Sequence, residues 1–118
     1  MKDRLLLAIL VFSSFVGGCA PQEARTLGNA PSGDPATVGT ARKAASGTSL
    51  MLAGEMVEKC PVAGCWFEVR DQSGIIRVDT KNAGFVVLDV PLKTHVTVAG
   101  RIKVSDGEPQ LEATGLRY

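Results

Sequence analysis

The chain has 118 residues, with 13 Lys and Arg against 12 Asp and Glu, a formal net charge of +1 with its single histidine neutral. A balance this close excludes the basic field that gathers phosphates, and one histidine leaves no conventional nucleophile–base pair. Hydrophobic residues make up 45% of the chain and aromatic residues only 5%, enough for one small core but too few for the stacked exposed rings of a nucleic-acid groove.

The chain starts MKDRLLLAILVFSSFVGGC: a charged start at Lys2, Asp3 and Arg4, an apolar run from Leu5 to Val16, then small residues ending at Cys19. That is the layout of an export signal over residues 1–18. A membrane span would need about 20 apolar residues, whereas Leu5 to Val16 supplies 12 positions and includes Ser13 and Ser14. Val16-Gly17-Gly18-Cys19 resembles the lipobox of bacterial lipoproteins, and the resemblance implies cleavage before Cys19 and acylation of its thiol. The implied address is the cell envelope, held to the membrane by acyl chains that include palmitate. Ala20 in place of an aspartate implies the periplasmic face of the outer membrane if the cell is Gram-negative. Removing Lys2, Asp3 and Arg4 with the signal leaves 11 basic and 11 acidic side chains.

From Pro21 to Thr48 the composition is dominated by Ala, Gly, Pro, Ser and Thr, with Leu27 and Val38 as the only sizeable apolar side chains. Such a segment buries too little surface to offset its ordering entropy, so residues 19–48 read as a lipidated cysteine followed by a flexible linker. Gly39, Gly47 and the lack of an apolar stripe argue against a helix through ATVGTARKAAS.

The folded part is then residues 49–118, near the lower size limit for a self-sufficient core. Its pattern predicts five short strands. Leu50 to Cys60 carries Gly54 near its middle. In Cys65 to Asp71, Cys65, Phe67 and Val69 alternate with Trp66, Glu68 and Arg70. Asp71-Gln72-Ser73-Gly74 is a turn, and Ile75 to Thr80 places Ile76 and Val78 on one face. His95 to Val104 follows, then Asp106-Gly107 as a turn and Gln110 to Leu116 as the last strand. A glycine within a strand is unfavourable on its own, so Gly54 and Gly100 mark bends or bulges where a small sheet curls on itself. Lys81 to Thr94, with Gly84, Pro91 and a β-branched cluster, predicts an extended loop or an extra edge strand through Phe85 to Val90. The domain is therefore all-β, and its strand pattern resembles the small five-stranded OB-like barrel; an SH3-like barrel or a small sandwich is the alternative.

Within this frame Cys60-Pro61-Val62-Ala63-Gly64-Cys65-Trp66 resembles the C-x3-G-C-W signature of small exported bacterial OB-like proteins of unknown function. Gly84-Phe85-Val86 matches their G-F-V-like stretch, and Asp79-Thr80-Lys81-Asn82 stands where they carry a Phe-Lys-Asp-Tyr-like segment. The resemblance spans about Ala53 to Ile102 and implies fold and address without an activity.

Cys60 and Cys65 admit three readings. If they end one strand and begin the next, they face each other across a hairpin at Cα separations of about 4.5 to 5.5 Å, within the range of a disulfide. A bond closing so short a loop contributes about 2 kcal/mol in the chain-entropy picture. Two close thiolates also suit Cu(I) or Zn(II), with Met56 on the same face of a regular strand and His95 as further donors. A thiol–disulfide switch is the third reading; it needs one thiol of lowered pKa, and Lys59 is the cation beside Cys60 in sequence. Trp66 is either a lid over the barrel's open end or an exposed aromatic contact. No G-x-S-x-G, zincin motif or glycine-rich phosphate loop occurs. The inventory points away from an enzyme and from nucleic acid. It points to a binding or assembly module that needs no cofactor and meets a protein partner through Trp66; metal handling and thiol redox chemistry are the alternatives.

Overall fold

Alternation of apolar and polar side chains builds the molecule's sheet. The computed structural model describes residues 24–118; the expected export signal over 1–18 and the expected lipid attachment at Cys19 lie outside the described residues. In chain order the elements are β1 (Thr26–Gly28), α1 (Val38–Lys43), β2 (Ser49–Lys59), β3 (Trp66–Asp71), β4 (Gly74–Asp79), β5 (His95–Ser105) and β6 (Glu108–Arg117). The five expected strands are β2 to β6, each within two residues of its predicted bounds. They follow the order β4-β3-β2-β5 with β6 pairing both β4 and β5, so the sheet closes on itself. All of these pairings are antiparallel except β4–β6, which is parallel. That closed order is the OB barrel, and it sets aside the SH3-like and sandwich alternatives.

The inward-facing residues form the core. Phe67 and Val69 of β3, Ile76 and Val78 of β4, Val96, Val98 and Ile102 of β5, and Leu111 and Leu116 of β6 are buried with Leu52 and Met56 of β2. The two mid-strand glycines stand where strands approach most closely. A Cβ on Gly54 would run into the Arg70 carbonyl, and one on Gly100 into the Glu112 carbonyl. Beside Gly100 the β5–β6 register slips by one residue, the bulge that turns the sheet into a barrel. The β5–β6 connection is the two-residue turn Asp106-Gly107, both residues at positive φ (52° and 78°), as a tight hairpin of this hand requires.

The expected linker is a correction. Within the described residues 24–48, β1 pairs with the end of β6, and α1 buries Val38 and Ala41 completely in the barrel core. A six-residue helix cannot hold itself together in water; tertiary bonds hold this one. Thr37 caps it by accepting from the Thr40 N–H at 3.1 Å. The N–H of Val38 donates to Asp71 Oδ2 at 2.8 Å and that of Gly39 to Ser73 Oγ at 2.7 Å. Val38 and Ala41 are three apart, so they form a two-residue stripe too short to register as a helix pattern.

The barrel has two unlike poles. The β3–β4 and β5–β6 turns and α1 occupy one. The other carries the connection 60–65, the end of β6 with β1 beside it, and the long connection 80–94. Lys81 to Thr94 contains turns but neither helix nor strand, in agreement with the extended-loop alternative. It is pinned by the buried side chains of Val87 and Val90 and by Lys59, whose Nζ donates to the Leu88 carbonyl at 2.8 Å and also to those of Val87 and Val90.

Candidate functional site

The Cys60–Trp66 connection is built by one register shift. From Glu55 to Met56, β2 residues face Arg70 and Val69; after an irregularity at Val57, Glu58 faces Glu68 and Lys59 faces Phe67. Without that bulge Cys60 would stand opposite Cys65, as the hairpin reading expected. With it, the Cys60 N–H donates to the Trp66 carbonyl at 3.0 Å, and Cys65 falls within the turn. The extra residue also swaps faces beyond it, so Lys59, not Cys60, shares the side of buried Met56.

The turn itself is rigid. Gly64, at φ 59°, donates its N–H to the Cys60 carbonyl at 3.2 Å and accepts from Val87 N–H at 3.1 Å. The buried Thr80 hydroxyl donates to the Gly64 carbonyl at 3.0 Å, and the Thr80 N–H donates to the Cys65 carbonyl at 2.9 Å. Around this frame the two sulfurs are unequal. Hydrogen bonds from the N–H groups of Ala63 and Val62 outweigh burial and, with the Cys65 thiol adding to them, bring the Cys60 thiol down to about 7. Burial and the neighbouring Cys60 thiol push Cys65 up. Both cysteines are free thiols, half-exposed. Beside Cys65 runs an open groove of about 440 Å³ along Ala63, Thr80, Phe85 and Val86.

The four-donor metal set is not assembled. Met56 is fully buried on the core face, and His95 pairs with Glu55, five residues back along β2 and so about 16 Å from Cys60. Among the described residues no group of three or more His, Cys, Asp or Glu side chains is placed to hold an ion. His95 is exposed at the start of β5, where the sequence put it. Lys59, expected beside the thiols, instead spends its charge on the carbonyls of the 80–94 connection.

Trp66 is half-buried at the start of β3, and the Arg77 guanidinium lies 4.2 Å from the centroid of its ring. Alternation places Trp66 and Glu68 together on the outer face, and Glu68 faces Arg77 across the β3–β4 ladder with an N···O separation of 3.9 Å. The same face runs into a cleft of about 300 Å³ toward the α1 pole, lined by Arg42, Glu68, Ile75, Arg77, Glu108 and Gln110. Arg42 approaches Glu108 at 3.5 Å. Each cation in the cleft thus stands beside a carboxylate. Sequence reasoning reached Trp66 but not Arg77, Arg42 or Glu108; the alternation that puts Arg77 outward was the only local sign of them.

Comparisons with known proteins agree on the architecture. The solved structure of the hypothetical protein ygiW from E. coli is similar with a TM-score of 0.59 at 24% identity, covering 74% of this chain and 91% of that one. Asparaginyl-tRNA synthetase from Pyrococcus horikoshii, complexed with asparaginyl-adenylate, gives a TM-score of 0.60 at 20% identity over 70% of this chain. The match spans only 21% of the synthetase, and at this identity it shows the barrel alone. A search of curated protein sequences finds no match. The family model described as bacterial OB fold (BOF) protein matches residues 15–114, covering α1 as well as nearly all of the barrel, and the chain is a member of that family.

Proposed function

We propose that this protein is a non-catalytic binding module of the bacterial envelope, anchored by acylation of Cys19 and meeting a protein partner on the outer face of β3, β4 and β6. The observation that carries the reading is the Trp66–Arg77 stack at 4.2 Å beside the mixed-charge cleft. OB barrels bind on this face, between the loop that follows their first strand and the turn joining their last two. Here those are residues 60–65 and 106–107. A half-exposed indole held by a guanidinium is a rigid anchor that loses little entropy on binding. The paired Arg42–Glu108 and Arg77–Glu68 groups favour a polar partner segment carrying both charges and give a nucleic-acid backbone no uniform field.

Trp66 is the only tryptophan in the chain, so its emission reports on this face directly. Full-length protein titrated with envelope extract fractions should show a saturable shift in Trp66 emission. Arg77→Ala should weaken that response by about tenfold, the cost of an anchor worth 1–2 kcal/mol. An unchanged response in a folded Arg77→Ala protein counts against the reading.

A second reading concerns Cys60 and Cys65. We propose that they close as a disulfide stapling the connection into β3, and that the bond exchanges through Cys60. The inequality of the two thiols supports this over a copper or zinc site, which would have to do without Met56 and His95.

A further inference from the structure

Six large apolar side chains are exposed among the described residues, and four of them stand on the two adjacent connections of one pole. Val62 is 86% exposed at the tip of 60–65; Val86, Leu88 and Leu92 are 50%, 43% and 48% exposed along 80–94. The two connections are bonded to each other through the Val87 N–H and the Gly64 carbonyl at 3.1 Å, so the four side chains belong to one surface. That surface is held in shape. Val87 and Val90 are buried between its exposed members, and the Lys59 ammonium ties three carbonyls of the loop to β2. Scattered apolar side chains on a protein surface need no explanation, but a rigid cluster on neighbouring loops marks a contact.

The path of the chain says what the contact is with. β1 pairs with the C-terminal end of β6, Thr26 opposite Arg117, and Gly28 abuts the Phe85 ring in the 80–94 connection. The chain therefore enters the fold at this same pole. Only residues 20–25 separate Cys19 from β1, and the seven steps from Cys19 to Thr26 span at most about 25 Å even when fully extended. An acylated Cys19 can leave the apolar pole no further than that from the bilayer.

We propose that the pole formed by connections 60–65 and 80–94 seats on the bilayer surface, with Val62, Val86, Leu88 and Leu92 reaching the boundary between headgroups and acyl chains. The proposal rests on the acylation of Cys19. Its consequence is orientation: the cleft near α1, at the opposite end of the barrel, faces away from the membrane toward a partner.

The test uses the acylated full-length chain in phosphatidylcholine vesicles whose upper acyl positions carry bromine, a short-range quencher of indole emission. In a Trp66→Phe background, Val62→Trp and Leu88→Trp each place the sole indole on the apolar pole, and Ile75→Trp places it at the α1 pole. All three positions are exposed, so the fold is preserved, and circular dichroism checks it. Quenching at the first two positions should exceed that at the third by at least about threefold, as for side chains buried several ångströms into the interface. Equal quenching at the two poles in protein whose intact mass shows acylation overturns the seating while leaving the anchor. Absence of acylation in the intact mass overturns the anchor and the seating with it.

Discussion

The Cys60 thiol lies against two backbone N–H groups, from Ala63 and Val62, and these stabilise its thiolate as an oxyanion hole stabilises an oxyanion. No side-chain cation takes part, because Lys59 is committed to the loop carbonyls. A group lowered to about 7 is half ionised at neutral pH, whereas burial keeps Cys65 protonated there. After reduction, iodoacetamide should therefore label Cys60 first, with a rate that passes its midpoint near pH 7 and levels off about one to two pH units above it. Cys65 should lag until well into the alkaline range. Peptide mass mapping against pH separates the two; equal rates at pH 7 would contradict the inequality. Such a pair suits a bond made and broken through one sulfur, and the same residues explain why Pro61 and Gly64 flank the turn: one sets the extended entry and the other takes the positive φ.

At the scale of elements, α1 shows how a segment without helix signals becomes a helix. Its first two N–H groups are satisfied by Asp71 and Ser73, both on the β3–β4 turn. Burial pushes the Asp71 carboxyl up, but the hydrogen bonds from Ser73, Val38 and Gly74 outweigh it and hold the group below its ordinary value. A carboxyl with a lowered folded pKa stabilises the fold above its unfolded pKa, near 3.9, and that contribution is lost as pH falls through the folded value. Asp71→Ala should cost about 1–2 kcal/mol at pH 7, the range for removing a charged acceptor from a helix start. The gap between wild type and variant should shrink when urea unfolding is repeated at pH 3. An equal gap at both pH values would place the effect elsewhere than in the carboxylate. The β2 bulge acts on the same scale: one extra residue at Val57 moves Lys59 into the barrel's mouth and turns Cys60 away from Met56.

For the whole molecule, closure decides stability. A barrel has no free sheet edge, and here β6 supplies the seam by pairing β5 and β4 at once. Gly100 sits on that seam with the Glu112 carbonyl where a Cβ would be. Gly100→Ala should destabilise the protein by about 1–3 kcal/mol, the cost of overpacking, and should lower the melting temperature of the barrel as one cooperative unit. A substitution without effect would mean that the β5–β6 seam yields. The poles give the closed barrel a direction, with the chain entering at the apolar end and the mixed-charge cleft near the other.

By itself the sequence determined the five barrel strands, the turns at Gly74 and at Asp106-Gly107, and the glycines at the close approaches. Each of these is written in period-two alternation or in backbone conformations that few residues adopt. It also located the constrained Cys60–Trp66 stretch and the exposed position of His95. Only the tertiary structure decided that residues 26–28 and 38–43 belong to the fold, since their partners lie on β6 and the β3–β4 turn, far along the chain. It alone decided the register beyond Val57, and with it that Cys60 meets Trp66 and is parted from Met56. It alone set Arg77 over Trp66. These outcomes depend on where distant strands come to rest against one another, and a bulge of one residue reverses every face beyond it without leaving a mark in local composition.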